Sequence, residues 1–326
     1  MKVCIVGAGA IGGWLGTRLA STGLARVSAL ARGATLAALR DHGWRLHLGD
    51  ALLRAPAVAS ERPADLGPQD LVVIAVKGPA LAGLATSLAP MIGPHTVLLP
   101  AMNGVPWWFG QGVAALGEAP LAAVDPGGHI AAALPLTQVI GCVVHASCFT
   151  AEPGLVQHKM GNGLIVGEPA GGASERVSAL AALLKHAGFD VTASSNVRYD
   201  IWYKLWGNLT MNPLSAITGA TIDKLLIDPE VRALCSAAML EASAVGAHIG
   251  CTISQTPEDR HAITARLGAF KSSMQQDVEA GRAIELDSIV GAVHELGQRL
   301  GVATPHISAL LGITRVFAQV RGLYPL

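Results

Sequence analysis

One short stretch near the N-terminus restricts this chain more than any other. Lys2 to Val6 is an apolar, partly β-branched run, Gly7-Ala8-Gly9-Ala10-Ile11-Gly12 follows at once, and a helical pattern continues to about Ser21. Strand, tight turn and helix in that order make a dinucleotide-binding fingerprint. The first glycine permits the turn, the second lets a pyrophosphate approach the backbone, and the third lets helix and strand pack closely. Gly7, Gly9, Ala10, Ile11 and Gly12 are the expected cofactor contacts. The glycine spacing recurs by chance in glycine-rich chains, and its place between a strand and a helix is what gives it weight here.

The alternation continues downstream. Val27 to Ala31, Leu71 to Val76 and Thr96 to Leu99 read as buried strands, with helical stretches such as Ala80 to Met91 between them. A mainly parallel, doubly wound α/β sheet of the Rossmann type is expected. After residue 120 come the strand candidates Val139 to Phe149, Leu155 to His158 and Leu164 to Val166, separated by Pro153-Gly154 and Gly161-Asn162-Gly163. These read as hairpins that extend the sheet. From about Ser195 the pattern is helical almost throughout, and Thr304-Pro305 reads as an N-cap and first-turn proline. The expected division is a nucleotide-binding domain over 1–194 and an all-α domain over 195–326. The polar residues 193–196 serve as hinge, and the cleft between the domains is the expected active site.

Composition narrows the function classes. Lys and Arg total 23 and Asp and Glu total 23, so no net field draws the protein to nucleic acid or an acidic membrane. Hydrophobic residues reach 51% and charged residues only 14%. The uncharged stretch between Lys77 and Glu118 is broken by Pro79, Pro90, Pro94, Pro100 and Pro106, too often for one spanning helix. The N-terminus could mimic a secretory signal ending at Ala29-Leu30-Ala31, but five glycines between Gly7 and Gly16 make a poor signal core. The five cysteines lack CxxC or Cys/His spacing, which points to reduced thiols, a cytoplasmic location and no metal site. A small molecule is the expected partner, and the sequence leaves room for a homodimer without specifying one.

The end of the second strand discriminates between cofactors, because a carboxylate there accepts from the ribose hydroxyls whereas a 2′-phosphate needs a cation. From Gly13 through Arg40 there is no Asp or Glu, and Arg32 occupies the position, which favours NADP. The alternative for Arg32 is a solvated loop arginine. Lys77 follows one strand and Asn103 another, at the carboxyl ends where ligands bind in open α/β sheets. Asn103-Gly104 is equally a common turn dipeptide, and Lys77 could be a surface lysine.

The segment from Tyr199 to Pro213, YDIWYKLWGNLTMNP, holds the second candidate site. At 100° per residue Lys204, Asn208 and Asn212 fall within an arc of about 80°, a polar stripe on an otherwise apolar, aromatic helix. Buried polar groups must be paired or face a wet cleft, since an unpaired one costs about 1–3 kcal/mol. The two asparagines could also simply stitch helices together. Pro213 disfavours helical geometry at Asn212, so the stripe is expected to end at a kink or terminus. Farther on, Ser272-Ser273 and the acids Asp277, Glu285 and Asp287 form a second polar cluster. Serine hydroxyls suit a substrate carboxylate, and Glu285 could hold Lys204 or bond a substrate hydroxyl. The default reading of these acids is a solvated helix face.

Taken together GAGAIG, Arg32, VKG, MNG, PGLVQHKMGNGLIVGEP, KLWGNLTMNPLSAITG and SSMQQD followed by IELD resemble the ketopantoate reductase (2-dehydropantoate 2-reductase) family over essentially the whole chain. The resemblance implies an N-terminal Rossmann domain, a helical C-terminal domain, NADPH, and reduction of a 2-oxo acid to a 2-hydroxy acid in pantothenate biosynthesis. Lys204 would be the general acid and Glu285 its partner or a substrate-hydroxyl ligand. Asn208 and Asn212 would line the site, Ser273 would bind the substrate carboxylate, Asn103 would lie by nicotinamide and substrate, and Lys77 near the cofactor. Where members carry asparagine shortly before SSM and soon after EID, this sequence has Phe270 and Val290. That departure implies a more apolar pocket and leaves a different, more apolar 2-oxo acid as an alternative substrate. A non-catalytic NADP-binding sensor is the rival from another class, and Trp107-Trp108 reads as core packing.

Overall fold

The apolar residues of the first strand are covered on both faces: Val3 through Val6 are fully buried. The computed structural model describes residues 1–325, and among them ten strands form two sheets. The strands are β1 (Lys2–Val6), β2 (Arg26–Leu30), β3 (Trp44–Leu48), β4 (Ala51–Ala55), β5 (Val58–Ser60), β6 (Gln69–Ile74), β7 (Ile92–Pro100), β8 (Gly141–Glu152), β9 (Leu155–Gly167) and β10 (Asp190–Ser194). The first sheet has the order β5-β2-β1-β6-β7, and every pairing in it is parallel. Its strands therefore end on one edge. The order runs outward from β1 to β2 on one side and to β6 on the other, which makes the ends of β1 and β6 the topological switch point.

The second sheet has the order β10-β9-β3-β4, with β8 paired to β9. Here the structure departs from the expectation that the later strands extend the first sheet. They form a sheet of their own, joined by a β3–β4 hairpin that the alternation did not reveal, although Gly49-Asp50 is a hairpin-type dipeptide. The Gly161-Asn162-Gly163 segment does not separate two strands. It lies inside the continuous β9, where the register with β8 shifts and Gly161 takes φ +76°, so the glycines serve a bulge.

The helices of the first half are α1 (Ala10–Ser21), α2 (Gly33–His42), α3 (Pro63–Leu66), α4 (Gly78–Ala82), α5 (His129–Ala133) and α6 (Glu175–His186). The stretch expected to be helical from Ala80 to Met91 is only α4 followed by a 3₁₀ turn, with Pro90 inside it. Buried residues of α1 pack with both sheets in one core: Trp14, Leu15 and Leu19 meet residues of β1, β2, β3 and β9. A Cβ on Gly16 would stand 2.5 Å from Trp44, so the helix approaches β3 at a distance only glycine permits.

The later helices are α7 (Val197–Thr218), α8 (Ile222–Ile227), α9 (Pro229–His248), α10 (Pro257–Ala265), α11 (Ser273–Glu279), α12 (Ala292–Leu300) and α13 (Pro305–Val320), with a π-turn over Asp287–Gly291. Thr304 does stand before α13, but its hydroxyl makes no cap and instead meets His294 Nδ1 at 3.2 Å. None of these helices is long and apolar enough to cross a membrane, among the described residues.

Packing divides the chain into a unit of Met1–Asn103 with His129–Asp200 and a unit of Gly104–Gly128 with Ile201–Leu326. The segment 104–128, which sequence placed within 1–194, thus packs with the helices. Phe109 stacks on Trp202 at 5.9 Å, and Glu295 accepts from the backbone N–H groups of Ala122 and Ala123 at 2.9 and 2.8 Å. The polar stretch 193–196 makes local hydrogen bonds with the start of the following helix. Ser194 Oγ donates to Asp200, and Asn196 Oδ1 accepts from Tyr199 N at 3.2 Å, capping α7.

Candidate active site

The α/β unit presents a cradle made mostly of backbone. Gly7 turns the chain out of β1 with φ +91°. A Cβ on Gly12 would lie 2.0 Å from the Gly7 carbonyl oxygen and 2.9 Å from Ile5, so the third glycine is demanded by packing against backbone. Gly9 is different: nothing lies within 4 Å of the place its Cβ would occupy. Gly9 is also the N-cap of α1, with no side-chain cap and no acidic residue in the first turn. Ala10 and Ile11 form that turn. Open space at a helix N-terminus with no acidic residue in its first turn fits the pyrophosphate of a dinucleotide.

Three more predicted residues stand at the ends of the same parallel strands. Arg32 follows β2 as the N-cap of α2; its side chain is exposed and makes no hydrogen bond or ion pair among the described residues. A guanidinium so placed can meet a 2′-phosphate. Lys77 follows β6 as the N-cap of α4, and Asn103 follows β7; both are half-buried. Gly104 has φ +76°, so the turn reading of Asn103-Gly104 holds for the backbone.

The helical unit presents side chains instead. On α7 the apolar residues Trp202, Leu205, Trp206 and Leu209 are buried, and Trp206 Nε1 donates to the Met239 carbonyl at 2.8 Å. Lys204 and Asn208 are half-buried, and Asn212 is 5% exposed. Neither amide stitches helices together. Asn208 makes no side-chain hydrogen bond among the described residues, and Asn212 Nδ2 is buried without a partner. Pro213 does not end the stripe's helix. The turn after it is held by burial of Leu214 and Ala216 and by Ser215 Oγ donating to the Asn212 carbonyl at 3.0 Å.

Of the serine pair, Ser272 is buried as the N-cap of α11 and hydrogen-bonds Ser215, whereas Ser273 is exposed with a hydroxyl that no described residue engages. The acids are not a solvated face. Asp277 is 8% exposed and accepts from Arg282 Nε at 3.0 Å. Glu285 is half-buried just before the π-turn. Asp287 accepts from the Tyr324 hydroxyl at 2.6 Å; burial pushes its carboxyl up, and burial together with that carboxylate pushes the Tyr324 phenol up to about 12. Val290 is fully buried and Phe270 half-buried, with the Phe270 carbonyl accepting from Ile222 N at 3.0 Å. Trp107 and Trp108 are buried.

Sequence reasoning passed over Arg260. Its guanidinium carbon lies 4.8 Å from the ring centre of Tyr203 on α7. No local pattern announces this contact, because the partners are separated by more than fifty residues.

The pattern of ketopantoate reductase PanE/ApbA matches residues 3–171, and that of its C-terminal domain matches residues 196–318. A 2-dehydropantoate 2-reductase from Mesorhizobium japonicum is 42% identical over 99% of this chain and 100% of its own. A crystal structure from Ralstonia solanacearum MolK2, provisionally described as a ketopantoate reductase, shares 52% identity at a TM-score of 0.94, covering 99% of both chains. D-mandelate dehydrogenase, solved with NADH and anilino(oxo)acetate, shares 22% identity at a TM-score of 0.83 over 99% of this chain and 100% of its own, a likeness of fold.

Proposed function

The chain belongs to the ketopantoate reductase family, and from that premise we propose that it catalyses the NADPH-dependent reduction of 2-dehydropantoate to pantoate, with Lys204 as general acid. It is an NAD(P)H-dependent oxidoreductase. The cofactor supplies the hydride when bound; the protein's share is positioning and proton delivery. Gly7, Gly9, Ala10, Ile11 and Gly12 cradle the pyrophosphate, and the unengaged Arg32 selects the 2′-phosphate. Lys77 lies near the cofactor, and Asn103 orients nicotinamide and substrate.

The observation that carries the reading is the α7 face, where a lysine shares one stripe with two amides that no described residue engages. A buried unpaired amide costs about 1–3 kcal/mol, a cost relieved when a ligand supplies the missing bond. A non-catalytic sensor has no use for such a stripe. The Lys204 ammonium polarises the C2 carbonyl oxygen and delivers a proton to it, a role worth about 10²–10⁴ in rate for a positioned acid. A positive charge beside a developing alkoxide adds electrostatic stabilisation. Glu285 holds Lys204 or the substrate hydroxyl, and Ser273 meets the substrate carboxylate.

Purified protein assayed by reduced-cofactor absorbance against a panel of 2-oxo acids tests this directly. Ketopantoate should give the highest kcat/KM, and NADPH should exceed NADH by at least about tenfold, as expected if one charge-assisted contact discriminates them. A more apolar oxo acid outperforming ketopantoate would displace the substrate assignment, and equal use of NADH would displace the role of Arg32.

A further inference from the structure

Arg260, on α10, holds its guanidinium against α7 where no carboxylate among the described residues pairs with it. Nε and Nη2 lie 2.7 and 2.8 Å from the place a Cβ at residue 207 would occupy, so only a glycine leaves room for the planar group. One side of it rests on Tyr203, whose hydroxyl is occupied in donating to Gln255 at 2.6 Å. Nε is buried without a hydrogen-bond partner, and no ion pair engages the side chain among the described residues. The neighbouring carboxylates are spoken for: Glu258 pairs with Arg232, and Asp259 accepts from the Thr256 backbone at 2.9 Å in a capping box. Gly207 closes the Nε–Nη2 edge, so an anion can approach this cation only along the Nη1–Nη2 edge, and a guanidinium already desolvated at Nε is costly to the folded chain without such a partner.

Gly207 follows Lys204 by three residues and precedes Asn208 by one. Side-chain roots three apart on a helix stand about 5–6 Å from each other. The cation over Gly207 is thus about one small substrate away from the root of Lys204. In a 2-oxo acid the carboxylate is bonded directly to the carbonyl carbon that Lys204 is proposed to serve. The geometry points to Arg260 as a substrate-binding residue that takes the substrate carboxylate on the Nη1–Nη2 edge of its guanidinium, the edge Gly207 leaves open, and so determines specificity for oxo acids over neutral ketones. This rests on the reading of α7 given above and adds to it a charged receptor in addition to the neutral hydroxyl proposed for Ser273. Arginine suits the task because its fork matches a carboxylate bidentately, which lysine cannot do.

Three variants test it: Arg260→Ala, Arg260→Lys and Gly207→Ala, the last displacing the guanidinium while keeping its charge. With ketopantoate, Arg260→Ala should raise KM at least about tenfold, Arg260→Lys less, and Gly207→Ala severalfold, as loss of a charge-assisted bond implies. KM for NADPH should stay within about twofold, because only the contact with the oxo acid is lost. With the methyl ester of ketopantoate, Arg260→Ala should match wild type, so the acid-to-ester ratio of kcat/KM collapses. A structural role would lower both substrates together and leave that ratio intact, which overturns the inference. If wild type reduces no 2-oxo acid, the proposed function fails. Arg260 is then judged by calorimetric titration of oxamate: weakened binding in Arg260→Ala and Gly207→Ala upholds it, and unchanged binding sinks it.

Discussion

The two units approach the chemistry of binding in opposite ways. In the α/β unit the candidate site is backbone: Gly9 leaves open space, Gly12 lies against the Gly7 carbonyl, and α1 opens without a side-chain cap. In the helical unit it is side chain: Lys204, Asn208 and Asn212 share one stripe of α7, whose apolar residues are core, and Arg260 reaches α7 from the largely exposed α10. A backbone site depends on local geometry, so short range suffices to build it. A side-chain site depends on which helices meet, so it is assembled by long-range packing. Substitutions should therefore fail differently in the two places.

The largest effect is expected at Lys204. Lys204→Ala should lower kcat by about 10²–10⁴ while the affinity for NADPH stays nearly intact, measured by steady-state kinetics and cofactor fluorescence titration. Near-normal turnover would remove it as the acid and erase the division of labour between the units.

A paired substitution within the cradle comes next. Gly12→Ala places a methyl group 2.0 Å from a backbone oxygen that cannot rotate away, and should destabilise the protein by at least about 1–3 kcal/mol in urea unfolding. Gly9→Ala meets nothing within 4 Å, so its urea midpoint should hold while its KM for NADPH rises. If both variants lost stability alike, the distinction between a glycine kept for packing and one kept for a ligand would break.

Arg32→Ala sharpens the cofactor side. Its KM for NADPH should rise severalfold or more, toward about the tenfold preference that one charge-assisted contact supplies, with NADH kinetics unchanged. Unaltered NADPH kinetics would return Arg32 to the status of a loop arginine.

The smallest effect is expected at Asn212, and its sign matters more than its size. Asn212→Leu removes a buried donor that lacks a partner and should leave stability unchanged or raise it by about 1 kcal/mol, while lowering kcat/KM. Loss of stability together with activity would mean that the amide serves the fold.

Much of the first unit could be read in advance. The strand-turn-helix at Lys2–Ser21, the parallel strands after it and the positions of Arg32, Lys77 and Asn103 follow from local patterns. The second sheet was misjudged because β9 carries its glycines in a bulge, and a Gly-Asn-Gly sequence signals a turn or a bulge equally well. On α7 the stripe was visible from periodicity, but the fate of its helix at Pro213 was not. The propensity of one residue pair yielded there to the burial of Leu214 and Ala216. The acids Asp277 and Asp287 looked solvated because periodicity carries no information on Arg282 or Tyr324, their hydrogen-bond donors.

Sequence alone determined the strand-turn-helix at Lys2–Ser21, because three glycines at fixed spacing between a strand and a helix restrict the backbone over distances that bonded geometry controls. It also determined the polar stripe of α7, because helical periodicity places residues four apart on one side. Only the tertiary structure decided that segment 104–128 packs with the helices, that no described residue engages the side-chain amides of Asn208 and Asn212, and that Arg260 comes to rest on Gly207. Those outcomes arise from contacts between distant parts of the chain, where burial and van der Waals fit outweigh any preference written in neighbouring residues.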